Sequence, residues 1–75
     1  MERSQKGRYK SLGLNIAYYR KLRGFSQEKL AEKAEISRTH VSRIETAECA
    51  VSLDVIFSIA DALDIEPYKL FQNKE

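Results

Sequence analysis

An all-α fold, a five-helix bundle built around a helix-turn-helix, follows from three features of this chain. Apolar residues recur at three- and four-residue spacing along almost its whole length. Serines stand immediately before three of the periodic segments, where helix N-caps belong. The stretch SQEKLAEKAEISRTHVSRIE, from Ser26 to Glu45, reads as two short helices joined by too few residues for anything but a sharp turn.

The elements follow in order. The first ten residues, MERSQKGRYK, are polar and carry Arg3, Lys6, Arg8 and Lys10 against Glu2 alone, so residues 1–10 are expected to form a basic flexible arm. Helix one is expected from about Ser11, with Leu12, Ile16 and Tyr19 as a core stripe continued by Leu22, and with Gly24 as a left-handed cap. Ser26 caps a helix in which Leu30, Ala31 and Ala34 share one face; the small Ala31 lets a neighbouring helix approach closely. Ile36 plugs the turn and Ser37 caps the next helix. There Val41 and Ile44 face inward while Arg38, Thr39, Ser42 and Arg43 face elsewhere. Residues 47–51 form a loop, and Ser52 caps a fourth helix with Leu53, Ile56, Ile59, Ala60 and Leu63 on one face. Pro67 suits the first turn of a fifth helix, whose Leu70 and Phe71 close the core. The bundle is thus residues 11–71, and residues 72–75 are expected to fray. The expected core is Leu12, Ile16, Leu30, Ala31, Ile36, Val41, Ile44, Ile56, Ala60, Leu63 and Phe71.

A short helix that props a second one away from the body suits entry into a DNA major groove about 12 Å wide. Caps and spacing of this kind also arise in an ordinary helical hairpin, so periodicity alone leaves both readings open. Charge adds to the first. Residues 1–43 hold 11 Lys and Arg against 4 Asp and Glu, a surplus of 7; residues 44–75 hold 2 against 7, a deficit of 5, leaving the net +2. The basic half contains the exposed second helix of the motif, as expected of a protein with one face toward phosphates.

Seventy-five residues are expected to make one domain, too small to enclose a large substrate cavity. No nucleophile is paired with a base, and there is no Gly-rich phosphate cradle, so an enzyme is not expected and no catalytic residue is assigned. Cys49 is the sole cysteine and His40 the sole histidine. Neither has the partners a metal site needs, so no metal, cofactor or small-molecule ligand is expected. No segment resembles a signal peptide or approaches the roughly 18 apolar residues that span a bilayer. A cytoplasmic setting without a membrane partner is the expectation.

From about Leu12 to Phe71, the order NIAYYRKLRGFSQEKLAEKAEISRTHVSRIE, then SLDVIFSIADALDI, then PYKLF resembles the Cro and phage-repressor helix-turn-helix family, also called the xenobiotic-response-element family. The resemblance implies a lambda-repressor-like bundle that binds double-stranded operator DNA, usually as a two-fold dimer. It implies that Gln27 contacts a phosphate and braces the recognition helix. Arg38 and Thr39 match positions that reach base edges, and Ser42 and Arg43 positions that meet bases or flanking backbone. With Ser37 at the head of the helix, the DNA-binding set is Gln27, Ser37, Arg38, Thr39, Ser42 and Arg43. The chemistry fits, since Arg grips guanine bidentately and Thr offers a hydroxyl and a methyl. Arg20 and Glu45 match a partly buried ion pair that ties helix one to the recognition helix.

Two departures from the family pattern stand out. Glu35 occupies a turn position usually held by Gly, and Thr46, Ala47, Glu48, Cys49 and Ala50 replace a polar residue, Gly and a basic residue. Glu48 would repel a phosphate, so either backbone affinity comes from Lys and Arg elsewhere, with the N-terminal arm and Arg23 as candidates, or the loop points away from DNA. One recognition helix reads too few base pairs to stand out among roughly 10⁶ or more genomic sites, so a homodimer is expected. The C-terminal half would form it, through Ile65, Pro67, Tyr68, Leu70, Phe57 and Val55; the alternative is that Tyr68 and Leu70 merely finish the monomer core. The function expected is a transcriptional regulator, a repressor or small autoregulatory controller; the alternative is a protein-interaction module such as an antitoxin or antirepressor subunit.

Overall fold

A computed structural model describes residues 5–72. Among them the chain forms four α-helices and one 3-10 helix, with no strand. The helices are α1 (Lys6–Leu22), α2 (Gln27–Ala34), α3 (Arg38–Glu45) and α4 (Leu53–Leu63), followed by the 3-10 helix Pro67–Phe71.

All three serine caps form as expected. The hydroxyls of Ser26, Ser37 and Ser52 accept from the backbone N–H of Lys29, His40 and Val55 at 3.0, 3.0 and 3.2 Å. The helix ends share one solution. After α1, Gly24 N–H donates to Lys21 O and Phe25 N–H to Arg20 O, the paired bonds of a Schellman motif. The same pairing recurs at Glu35 and Ile36, at Ala47 and Glu48, and at Asp64 and Ile65. Each motif needs one left-handed residue, and only the first uses glycine: φ is +61° at Glu35, +61° at Ala47 and +57° at Asp64.

Helix α1 starts at Lys6, five residues before the expected Ser11, so residues 6–10 are helical rather than part of an arm. Gly7 suggested a break there. It costs the helix only about 1 kcal/mol against Ala, and Tyr9 packs against the core from the added turn. The expected arm residues 1–4 and tail residues 73–75 lie outside the described residues. Gln72, expected to fray, is held through its carbonyl by Asn15. The expected fifth α-helix is a 3-10 helix, because its five residues leave room for i→i+3 closure, as in Lys69 N–H to Glu66 O at 3.0 Å.

Leu12, Ile16, Leu30, Ala31, Val41, Ile44, Ile56, Ala60 and Leu63 are buried as expected, joined by Ala34, Ile59 and Leu70. Phe71 was expected in the core but is 58% exposed; Leu70 fills that place. The tighter turn of the 3-10 helix turns only one of two neighbouring residues inward. Ile36 is half-buried, while Leu22 and Leu53, both expected on core stripes, are exposed at the ends of their helices.

Two long-range features of α1 set how the bundle closes. Gly13 is buried where α1 crosses α3; a Cβ there would stand 2.5 Å from both the Ile44 and Glu45 carbonyl oxygens. Asn15 is buried, and its Nδ2 donates to Leu70 O at 2.9 Å and Gln72 O at 2.6 Å, tying the C-terminal segment to α1.

Candidate nucleic-acid interface

Three residues separate α2 from α3. Glu35 takes the left-handed turn, Ile36 packs beneath it and Ser37 caps the new helix. Ala31 and Ala34 are small and buried, so α3 can cross close to α2. Val41 and Ile44 anchor α3 from below, at 0% and 2% exposure. That fixes which side of α3 faces out. Ser37, Arg38, Thr39 and Arg43 are exposed, and Ser42 is half-buried on the same polar side. The expected set therefore converges on one helix, with Gln27 at the head of α2 joined to it through Glu45.

That junction is a hydrogen-bonded network of three side chains. Glu45, the last residue of α3, receives Arg20 Nε at 2.7 Å and Nη2 at 3.2 Å, a two-pronged grip. Gln27 Nε2 donates to the same carboxylate at 2.9 Å, and Arg20 Nη1 donates to Phe25 O at 2.8 Å. With the side chains 11% and 6% exposed, the pair is nearly out of water. It ties α1 and the head of α2 to the foot of α3. A buried pair of this kind fixes orientation more surely than it adds stability. Gln27 Nε2 carries a second amide proton beyond the one given to Glu45.

Arg23, expected to supply backbone affinity, is committed elsewhere. Its Nε donates to Leu63 O at 2.7 Å and Nη2 to Asp64 O at 3.0 Å, so it caps the carbonyl end of α4. Arg8 and Lys10 lie exposed on α1. In the loop after α3, the single hydroxyl proton of Thr46 is shared between Ser42 O at 3.0 Å and Glu48 Oε2 at 2.9 Å, which places the acidic side chain beside the end of the helix. A shallow open groove beside α3 is lined by Ser37, Thr39, His40, Arg43, Cys49 and Ala50. Among the described residues no group of three or more His, Cys, Asp or Glu side chains is placed to hold a metal ion, and no helix is long and apolar enough to cross a membrane.

Sequence reasoning missed Gly13, Asn15 and the capping role of Arg23. Gly13 carried a signal, a lone glycine inside a helical stripe, which marks a close approach by another backbone. Asn15 and Arg23 carried none, because their partners are 55 and 40 residues away.

This geometry defines a helix-turn-helix module, and the chain belongs to the phage-repressor and Cro-like helix-turn-helix family: the family model HTH_3, helix-turn-helix, matches residues 16–70. It is similar to control protein C.SmaI of Serratia marcescens, 36% identical over 59 residues that cover 79% of this chain and 70% of that protein. A hypothetical transcription factor of Neisseria meningitidis is also 36% identical over 59 residues, 79% of this chain but 56% of that relative, so the chain spans little more than half its length. Among solved structures, the restriction-modification controller protein C.AhdI of Aeromonas hydrophila superposes with a TM-score of 0.83 at 38% identity, covering 84% of this chain and 96% of that one.

Proposed function

We propose that this chain is a DNA-binding transcriptional regulator, a repressor or small autoregulatory controller that reads a palindromic operator as a homodimer in the cytoplasm. The observation that carries the reading is α3 itself. Its apolar side is fully used by the core, its foot is clamped by Arg20 and Gln27, and its outer side presents Arg38, Thr39 and Arg43 to solvent. A helix held this firmly with so polar an outer side suits the major groove, where Arg38 and Arg43 supply bidentate donors for guanine. Ser37 and Gln27 supply donors for the flanking phosphates. The relatives named as control proteins and as a transcription factor support the regulatory role.

The homodimer in this reading uses the C-terminal half. Phe57 and Tyr68 are exposed there, with Val55, Ile65 and Pro67 half-buried beside them. Leu70 is withdrawn from that surface, since it is fully buried in the monomer core. Two-fold pairing would set the recognition helices about 34 Å apart, one turn of DNA.

Selection from a random duplex library, followed by sedimentation of the chain with the selected site, tests the reading. The expected result is a palindrome bound by two copies. Arg38→Ala or Arg43→Ala should then cost about 1–3 kcal/mol on that site and relax preference at one base pair. No enriched sequence would refute specific DNA recognition, and one copy per site would refute the dimer.

A further inference from the structure

One side of α1 carries an exposed apolar pattern outside the buried core. Leu14, Tyr18 and Leu22 follow at four-residue spacing and so stack along one line of the helix. They are 62%, 48% and 67% exposed. Single apolar residues on a surface need no explanation, but three in register make a stripe about 12 Å long. The Tyr18 ring meets Tyr19 edge-on at 5.0 Å between centroids, which orients it. At about 100° per residue, the stripe lies roughly 140–160° around the axis from Gly13 and Arg20, the residues that face α3.

The charge of the same helix points the same way. Lys10 and Lys21 are exposed along one edge of the stripe, with Lys6 a turn earlier and Arg8 on the opposite edge. None of the 17 residues of α1 is acidic. The helix dipole accounts for Arg20 and Lys21 in the last turn, but it disfavours cations in the first turn, where Lys6 and Arg8 stand, and it does not act on Lys10 one turn further along. Helix stability therefore does not explain the basic residues at this end, which leaves them available to an anionic counterpart.

We propose that this face docks an acidic amphipathic helix of a partner protein. Apolar residues of that helix at i, i+4 and i+8 pack on Leu14, Tyr18 and Leu22, and its flanking carboxylates pair with Lys10 and Lys21. A nucleic-acid backbone would use the lysines but gains nothing from two exposed leucines. An anionic lipid surface favours a wide apolar face, and the wide apolar side of α1 is already spent on Leu12 and Ile16 in the core.

The test is a titration of the ¹⁵N-labelled chain followed by NMR. The probe is a synthetic helical peptide with leucines at i, i+4 and i+8 flanked by glutamates; its scrambled counterpart, phosphatidylglycerol vesicles and a random-sequence duplex serve as comparators. The expected result is saturable shifts at Leu14, Tyr18, Lys21 and Leu22, at least tenfold tighter for the ordered peptide than for the scrambled one. L14E/L22E should weaken binding tenfold or more while leaving duplex binding intact; should that variant fail to fold, K21E alone should weaken peptide binding severalfold with duplex binding again unchanged. Equal binding of the scrambled peptide, shifts centred elsewhere, or vesicles or duplex moving these residues where the peptide does not, would each overturn the proposal. Because operator selection is read on α3, failure here leaves the DNA-binding reading standing.

Discussion

Gly13→Ala sets two effects of opposite sign against each other. Alanine in a helix interior is favoured over glycine by about 1 kcal/mol, so by propensity alone the change stabilises. The structure opposes it. The new methyl would lie 2.5 Å from the carbonyl oxygens of Ile44 and Glu45, 0.9 Å short of ordinary contact at 3.4 Å. Both obstacles are backbone, so no side chain can swing away, and α1 must back off from α3 by nearly the whole shortfall. Overpacking of this kind costs about 1–3 kcal/mol, and a rigid obstacle puts the cost toward the upper end. The net expectation is a loss of about 1–2 kcal/mol, or a Tm lower by roughly 5–15 °C for a domain of this size.

Gly7→Ala is the internal control. It is on the same helix, with no atom within 4 Å of the added Cβ and no positive φ. The change should therefore gain about 0.5–1 kcal/mol. Paired thermal and urea unfolding by circular dichroism reads both variants. Gly13→Ala at or above the parent in stability would refute the close crossing of α1 and α3. Both variants losing stability would refute the propensity side of the argument.

Arg20→Met should cost about 3–5 kcal/mol, because Glu45 is left charged and buried; Arg20→Met with Glu45→Leu should recover most of it, measured by urea unfolding, whereas an equal loss in the double variant would mean packing and not charge is at stake. Glu35→Gly should stabilise by about 0.5–1 kcal/mol, the relief of a left-handed residue less the entropy of glycine. Ala47→Gly should be nearly neutral, because it also removes a buried methyl worth about 0.8 kcal/mol; a larger gain at Ala47 than at Glu35 would contradict this in thermal scans. Asn15→Leu should lose about 2–3 kcal/mol by stranding the Leu70 and Gln72 carbonyls, with faster amide exchange concentrated in residues 67–72.

What the sequence disclosed follows the range of the interactions. The caps at Ser26, Ser37 and Ser52 act over three residues, so residue type and position sufficed to place them. The inward residues of α2, α3 and α4 were legible because periodicity of about 3.6 is a local property. The start of α1 was misread because Gly7 is a weak breaker, outweighed by sixteen other residues of one continuous helix. Leu70 and Phe71 could not be told apart, since their inward order depends on a 3-10 rather than an α turn. Arg20 and Glu45 were paired through the family resemblance alone; no spacing rule joins residues 25 apart. Arg23 looked available to phosphate for the same reason in reverse, because its acceptors lie 40 residues downstream.

The supports of α3 divide cleanly from its outward residues. Gly13 admits its carbonyl end, Val41 and Ile44 seat its apolar side, and Arg20 with Gln27 grips Glu45 at its foot. None of these groups belongs to the outer row of Arg38, Thr39 and Arg43. The outer row can therefore be exchanged without unseating the helix, and the expected cost of such changes falls on which duplex is bound rather than on whether the chain folds. That separation predicts that Arg38→Ala, Thr39→Ala and Arg43→Ala each leave unfolding free energy within about 0.5 kcal/mol of the parent, while Glu45→Ala does not. Urea unfolding of the four variants side by side decides it: a stability loss in the outer row as large as that of Glu45→Ala would mean those residues help to hold the helix they are proposed to read with.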